Sequence, residues 1–205
     1  MKRKQFFVAL TALAALASSN VSRADTIWTD NFDANTLGLN SAPSGWTATA
    51  GTVDIIGSNF SGALFDLLPG HGAYIDLDGS TGKAGSLTTL LTLTAGVQYT
   101  ANFELAGSQR GSTETGKVSF GTASLAYDIA SAVGFMGYSL TFTPTTTGQY
   151  ALSFQNDGGD NIGALLDNVA VADATAPVPE PETYALLGAG LLAVGFVSRR
   201  RKSVG

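Results

Sequence analysis

The acid at position 167 is placed where a charge is costly. Over 164–172, Leu165, Asp167, Val169 and Val171 share one face by parity. A bare carboxylate buried among apolar neighbours costs several kcal/mol or more. Asp167 must therefore be ion-paired, hydrogen-bonded or bound to a metal, or else accept backbone N–H groups near a strand end. A second oxygen-rich stretch, Asn156-Asp157-Gly158-Gly159-Asp160-Asn161, has no glycine at the sixth loop position and no twelfth-position Glu. It fails the EF-hand spacing and reads as a tight glycine turn. Rings that can stack on sugars are Trp46, which follows Ser44-Gly45, then Tyr74 and Tyr127. Trp28 shares parity with Phe32 and reads as core, and core is the competing reading for Trp46. His71 lies between two glycines, with no cysteine and no second histidine to complete a zinc site. Gly-x-Ser-x-Gly, His-Glu-x-x-His and phosphate-loop patterns are absent from the sequence. Two carboxylates suffice for a glycosidase, but so many acids offer pairs by chance, and the reading is non-catalytic.

These residues need a scaffold of strands. Val97, Tyr99, Ala101, Phe103 and Leu105 alternate with Gln98, Thr100, Asn102 and Glu104, the period of a strand with one wet face. Tyr138, Leu140 and Phe142 repeat the pattern, as do Tyr150, Leu152 and Phe154. With Pro144 to Gly148 between them, these two runs predict an antiparallel hairpin. Further strands are expected at 26–32, 52–56, 73–78, 86–93, 117–120, 123–127 and 164–172. So many short strands in about 150 residues predict an all-β protein, an antiparallel β-sandwich of jelly-roll type. Ser131 to Met136 has room for one helical turn. Gly107 to Gly116, with Arg110 and Glu114, reads as an exposed loop.

Charge is sharply partitioned. Of the 11 Lys and Arg, only Lys83, Arg110 and Lys117 lie in 25–173, against fourteen acids, a net charge of −11 for that segment. Such a surface repels nucleic acid and anionic lipid and tolerates divalent cations. With no cysteine in the sequence, disulfides and thiol chemistry are excluded.

The ends speak to address. Lys2, Arg3 and Lys4 precede an apolar run from Phe6 to Ala17, and Ser22-Arg23-Ala24 supplies small residues before a cut. This is the pattern of a secretory signal peptide over 1–24, with the mature body at 25–173 and linker and tail at 174–205. At the other end, Pro179-Glu180-Pro181 is followed by an apolar stretch over 184–197 and a basic stop, Arg199, Arg200, Arg201 and Lys202. The stretch can enter lipid as a helix, and the basic cluster would stay cytoplasmic. At ~1.5 Å per residue it reaches roughly 21 Å, short of a hydrocarbon core of ~30 Å. Motif, short helix and basic stop in this order resemble the PEP-CTERM sorting signal of exopolysaccharide-producing Gram-negative bacteria. The resemblance implies export by the Sec machinery and processing by an exosortase, with transient residence in the inner membrane and a final place at the cell surface or in the extracellular matrix. A plain tail anchor is the alternative.

A second resemblance lies in the body. Asn31-Phe32-Asp33, Gly45-Trp46, Ala73 to Gly79, Thr94 to Tyr99 and Leu166-Asp167-Asn168-Val169 come in an order similar to galactose-binding-domain-like jelly rolls. These include carbohydrate-binding modules and the choice-of-anchor domains that accompany PEP-CTERM tails. That resemblance implies a structural Ca²⁺ where the first and last strands meet, with Asp33 and Asp167 as ligands and backbone carbonyls completing the shell. It also implies a non-catalytic exopolysaccharide- or biofilm-associated protein, or else a dedicated carbohydrate-binding module using Trp46 and Tyr74.

Overall fold

Every strongly alternating run in the sequence becomes a strand in the computed structural model, which describes residues 24–60 and 62–174. Twelve strands form: β1 (Ala24–Asp30), β2 (Thr47–Thr49), β3 (Asp54–Asn59), β4 (Gly62–Leu64), β5 (Ala73–Asp76), β6 (Ser86–Leu93), β7 (Tyr99–Ala106), β8 (Glu114–Phe120), β9 (Ala123–Ile129), β10 (Met136–Phe142), β11 (Gly148–Asn156) and β12 (Leu165–Ala174). One sheet runs β10-β7-β12-β5-β3-β4, with β1 also paired to β12, and the other runs β2-β6-β11-β8-β9. All pairings between named strands are antiparallel. The expected leader, all but its last residue, and the expected span over 184–197 lie outside the described residues. Among the described residues, no helix is long and apolar enough to cross a membrane.

The inner faces of the two sheets meet in one core. Phe103, Leu105, Leu166, Val169 and Val171 of the larger sheet pack with Leu87, Val118, Phe120, Leu152 and Phe154 of the smaller. A second, smaller cluster sits on the outer face of the seven-stranded sheet: Ile56, Tyr74, Ala106 and Leu165, covered by Leu67, Leu68 and Phe135. Parity explains the division, since Ile55 and Ile75 point inward while Ile56 and Tyr74 point outward on the same strands.

Three expectations fail here. The runs around Tyr138 and Tyr150 do not form a hairpin. β10 pairs with β7, while β11 pairs with β6 and β8 in the opposite sheet. Each run has one buried face and one wet face, and that pattern is satisfied equally by pairing within a sheet or by facing across a core. Nor does Asp167 share a face with Val169 and Val171. The β12–β7 register shifts between Asp167 and Ala170, and Asn168 takes φ +50, a backbone state that Asn tolerates better than most residues. The bulge puts Leu165 and Asp167 on the outer face, while Leu166, Val169 and Val171 line the core. Finally, 131–136 forms a turn and then enters β10 without a helical turn.

Candidate functional site

The outer face of the larger sheet carries a line of acids. Asp54 and Asp76 are register partners on β3 and β5, and one step along, Asp167 and Glu104 are partners on β12 and β7. Facing like charges destabilise a sheet pair, so each pair requires compensation. Asp54 is compensated locally: its Oδ1 accepts N–H from Asn40 at 2.6 Å and Ser80 at 3.1 Å, and its Oδ2 accepts the Ser80 hydroxyl at 2.6 Å. Asp76 is compensated from across the fold. The Arg110 guanidinium, on the β7–β8 loop, donates to its Oδ2, and the Asp78 backbone N–H donates to its Oδ1 at 3.1 Å. Burial still pushes the Asp76 carboxyl up to about 7, with Asp54 adding to the rise and Arg110 opposing it.

Arg110 also donates to the Asn161 carbonyl at 2.7 Å, so one side chain ties the β7–β8 loop to the β11–β12 loop above Asp76. The expectation that 107–116 is a free surface loop is thereby corrected. Ser108 and Glu114 are buried, and 114–116 already belongs to β8. The Asn156–Asn161 stretch, expected as a tight glycine turn, leaves β11 at Asn156 and bends over 159–161, with the positive φ at Asn161 and not at a glycine. Asp78 Oδ2 accepts N–H from Gly159 at 2.8 Å and Asp160 at 3.3 Å. A Cβ at Gly158 would run into that same oxygen, so the turn must lie bare against Asp78.

Beside Asp54, Asp76 and Arg110 lies a cavity of about 200 Å³. Its polar wall also includes Ser80 and Asn161, and its apolar wall is Ile56, Leu67 and the ring of Phe65. Phe65 is 62 % exposed and adopts φ +46 in the bend after β4.

The sugar-platform candidates are elsewhere. Trp46 is buried between Trp28, Phe32 and Phe154, and its Nε1–H donates to Asp30 Oδ2 at 2.8 Å. Trp28 is only partly buried and packs against the core. Tyr74 has no exposed surface, and its hydroxyl accepts N–H from Leu67 at 2.6 Å and Leu68 at 2.9 Å, holding the 65–72 loop over the sheet. Burial raises its phenol pKa. Tyr127 is also buried, donating to the Gln155 carbonyl at 3.0 Å, and burial likewise raises its pKa. Trp46, Tyr74 and Tyr127 are too deeply buried to offer a ring face to a ligand. His71 packs against Phe135 with the rings tilted and 4.9 Å between centroids.

Asp33 and Asp167 are brought into one electrostatic neighbourhood. Burial pushes the Asp167 carboxyl up to about 7; the Asn168 N–H opposes this, and Glu104, Asp33 and Asp30 add to it. A cation would suit such a convergence of negative charge. The oxygens are nevertheless engaged: Asp33 Oδ1 accepts N–H from Ala73 and Oδ2 the Asn31 amide, both at 2.8 Å, and Asp167 Oδ1 accepts the Asn168 N–H at 2.7 Å. Among the described residues, no group of three or more Asp, Glu or His side chains is arranged to hold a metal ion. The charge fits a calcium ion, and the ligand set supplied by side chains is short.

Arg110 and the Asp54/Asp76 pair were missed by sequence reasoning. A usable signal was there: Arg110 is the single arginine of an acidic body, and Tyr74, Asp76 and Asp78 share a parity on a buried strand.

Comparison with known proteins addresses the tail and the fold separately. Residues 177–202 match the family model of the PEP-CTERM protein-sorting motif. The chain carries a PEP-CTERM sorting motif. No curated protein matches it. Among solved structures, the CBM22-1 xylan-binding domain of Xyn10C from Paenibacillus barcinonensis aligns with a TM-score of 0.51 at 12% identity, covering 76% of this chain and 99% of that one. The tandem CBM22-1-CBM22-2 structure from the same protein gives 0.48 at 14% identity, covering 80% of this chain and 49% of that chain, so this chain spans about half of it. A family 35 carbohydrate binding module from Clostridium thermocellum gives 0.41 at 9% identity, covering 66% and 95%. The likeness to the first shows the fold alone: the body is a sandwich like that of this carbohydrate-binding module.

Proposed function

We propose that this chain is an exported, exosortase-processed protein of the cell surface or extracellular matrix, and that its body contacts exopolysaccharide without catalysing a reaction. One observation carries the reading: a PEP-CTERM sorting motif is joined to a sandwich with the fold of a carbohydrate-binding module. The motif supplies the address and the class of enzyme that handles the chain. The acidic body is consistent with a neutral or cation-bridged polymer as partner. One structural neighbour is a xylan-binding domain, and polysaccharide is the ligand class we carry across from it. The test is a pull-down of the chain with the exopolysaccharide of its own host, paired with an assay for release of reducing ends. Retention on the polymer without turnover is the expected result. Turnover would make the chain an enzyme, and absence of retention would remove the polysaccharide.

Calcium is a second element of the reading, favoured by the field that converges on Asp167. Asp33 and Asp167 would hold the ion, with backbone carbonyls, and the ion would neutralise the acids that now face each other.

A further inference from the structure

The paired carboxylates Asp54 and Asp76 require an explanation that stability does not supply. They are register partners with Cβ atoms ~4.5–5.5 Å apart by the geometry of such pairs, and both are buried. An arginine must cross from another loop to offset one of them. Replacing such a set with apolar side chains often leaves a protein as stable or more so. The neighbouring Phe65 presents the opposite anomaly. A large apolar ring stands 62 % exposed on a backbone at φ +46, a strained state for a non-glycine residue. Hidden charges and a displayed ring meet at one place, as the two walls of the same cavity.

We propose that this cavity binds a single neutral pyranose ring. The proposal rests on the polysaccharide reading above and gives it an address. The apolar face of a pyranose, made of C–H groups, packs on an aromatic ring such as Phe65. Its hydroxyls both donate and accept, which matches the opposite wall. Among the described residues, Asp54 Oδ2 accepts only the Ser80 hydroxyl and Asp76 Oδ2 only Arg110, which leaves each a lone pair to offer. Arg110 has spent N–H groups on Asp76 and on the Asn161 carbonyl and keeps others to donate, with its side chain 31 % exposed. Size limits the occupant. At about 200 Å³ the cavity lies below the ~300–1,000 Å³ of sites for drug-sized molecules, so it admits one ring and not an oligosaccharide. Hydrogen-bonding chemistry limits it further: the Asp54 and Asp76 oxygens face the cavity as acceptors, and the ionised group of a uronate or a sulfated sugar has no proton to donate to them.

The experiment uses the full-length chain and saturation-transfer NMR with three probes: methyl β-D-xylopyranoside, methyl β-D-galactopyranoside and methyl β-D-glucuronide. At least one neutral glycoside binds saturably, and the glucuronide does not. Phe65→Ala weakens binding by roughly tenfold or more, about 1.4 kcal/mol. Phe60→Ala, which removes an 88 % exposed ring that does not line the cavity, leaves binding unchanged. Both substitutions are at exposed positions, so neither threatens folding. Arg110→Lys, which keeps the charge and loses the planar fork, also weakens binding. If the chain is retained on its host polymer and neither Phe65→Ala nor Arg110→Lys alters that retention, the cavity is overturned and the polysaccharide reading stands. If wild type binds neither polymer nor glycoside, both are overturned.

Discussion

Asp167 and Glu104 face each other across adjacent strands with the Asn168 amide between them, its Nδ2 donating to Glu104 Oε2 at 2.8 Å and to Asp167 Oδ2 at 3.3 Å. The bulge makes this possible. It puts Asp167 on the outer face and leaves Asn168 free to reach both acids. One amide offsets two carboxylates poorly, and Asp33 and Asp30 add to the same field. We therefore expect Ca²⁺ to stabilise the chain and EDTA to lower its Tm. A ligand at a hundredfold excess over Kd contributes ~2.7 kcal/mol, on the order of 5–10 °C for a domain of this size. Mg²⁺ should restore less, because it demands tighter octahedral geometry. Asp167→Asn should abolish the calcium response and, in EDTA, melt no lower than wild type, since it relieves repulsion. Asp160→Asn should respond as wild type does. Coincident melting curves with EDTA and with Ca²⁺ would leave Asp167 a hydrogen-bonded structural acid.

The second prediction concerns pH. Burial raises the folded-state pKa of Asp76 to about 7, against ~3.9 in an unfolded chain. Between these values the folded state holds a proton that the unfolded state releases. Stability is therefore fully present below pH ~4 and is lost as pH rises through about 7. Asp167 shifts in the same direction. In EDTA, the Tm should fall from pH 5 to pH 8, and Asp76→Asn should flatten part of that slope. A Tm that rises over the range would mean that the Arg110 pair, not burial, governs Asp76.

Where a strand is long and one of its faces is wet, the sequence revealed it. The run from Tyr99 to Leu105 alternates in sequence and in burial alike, because water on one side and core on the other impose the period. Pairing left no such mark. β10 and β11 carry the same alternation, yet they belong to opposite sheets, since a buried face records burial and not which strand lies alongside. The bulge at Asn168 was invisible to a parity argument that assumes an unbroken period. The spacing of Leu166 and Val169, both in the core, was its only trace. The short β2 and β4 escaped notice because three residues carry too little periodicity to separate from a loop. The charged cavity was hidden for another reason. Asp54, Asp76 and Arg110 are far apart in the chain, and only the strand order brings them together.

Export and processing are tested on the tail. Residues 177–202 match the sorting motif, so in a host with an exosortase the mature protein should lack Arg199 to Lys202, and it should begin at Asp25. Mass spectrometry of surface-localised protein reads both ends at once. Deleting the host exosortase, or changing Pro179-Glu180-Pro181 to alanines, should leave the basic C-terminus intact. Surface protein that retains Arg199 to Lys202 in the presence of the exosortase would show that the motif is not a processing site here.

Trp46 separates a binding ring from a core ring. It is 7 % exposed, wedged among Trp28, Phe32 and Phe154, and hydrogen-bonded to Asp30. Truncating a buried ring of this size costs ~3–5 kcal/mol, so Trp46→Ala should lower the Tm by on the order of 10 °C or prevent folding. Trp46→Phe keeps most of the packing and loses the bond to Asp30, worth about 1.5–3 kcal/mol for a hydrogen bond to a charged group. It should fold, melt a few degrees lower and retain whatever glycan affinity the wild type has. Phe65→Ala should show the reverse: no loss of Tm, and a loss of affinity. If Trp46→Phe melts with the wild type but fails to bind glycan, the ring acts on the ligand from a conformation in which it is no longer covered.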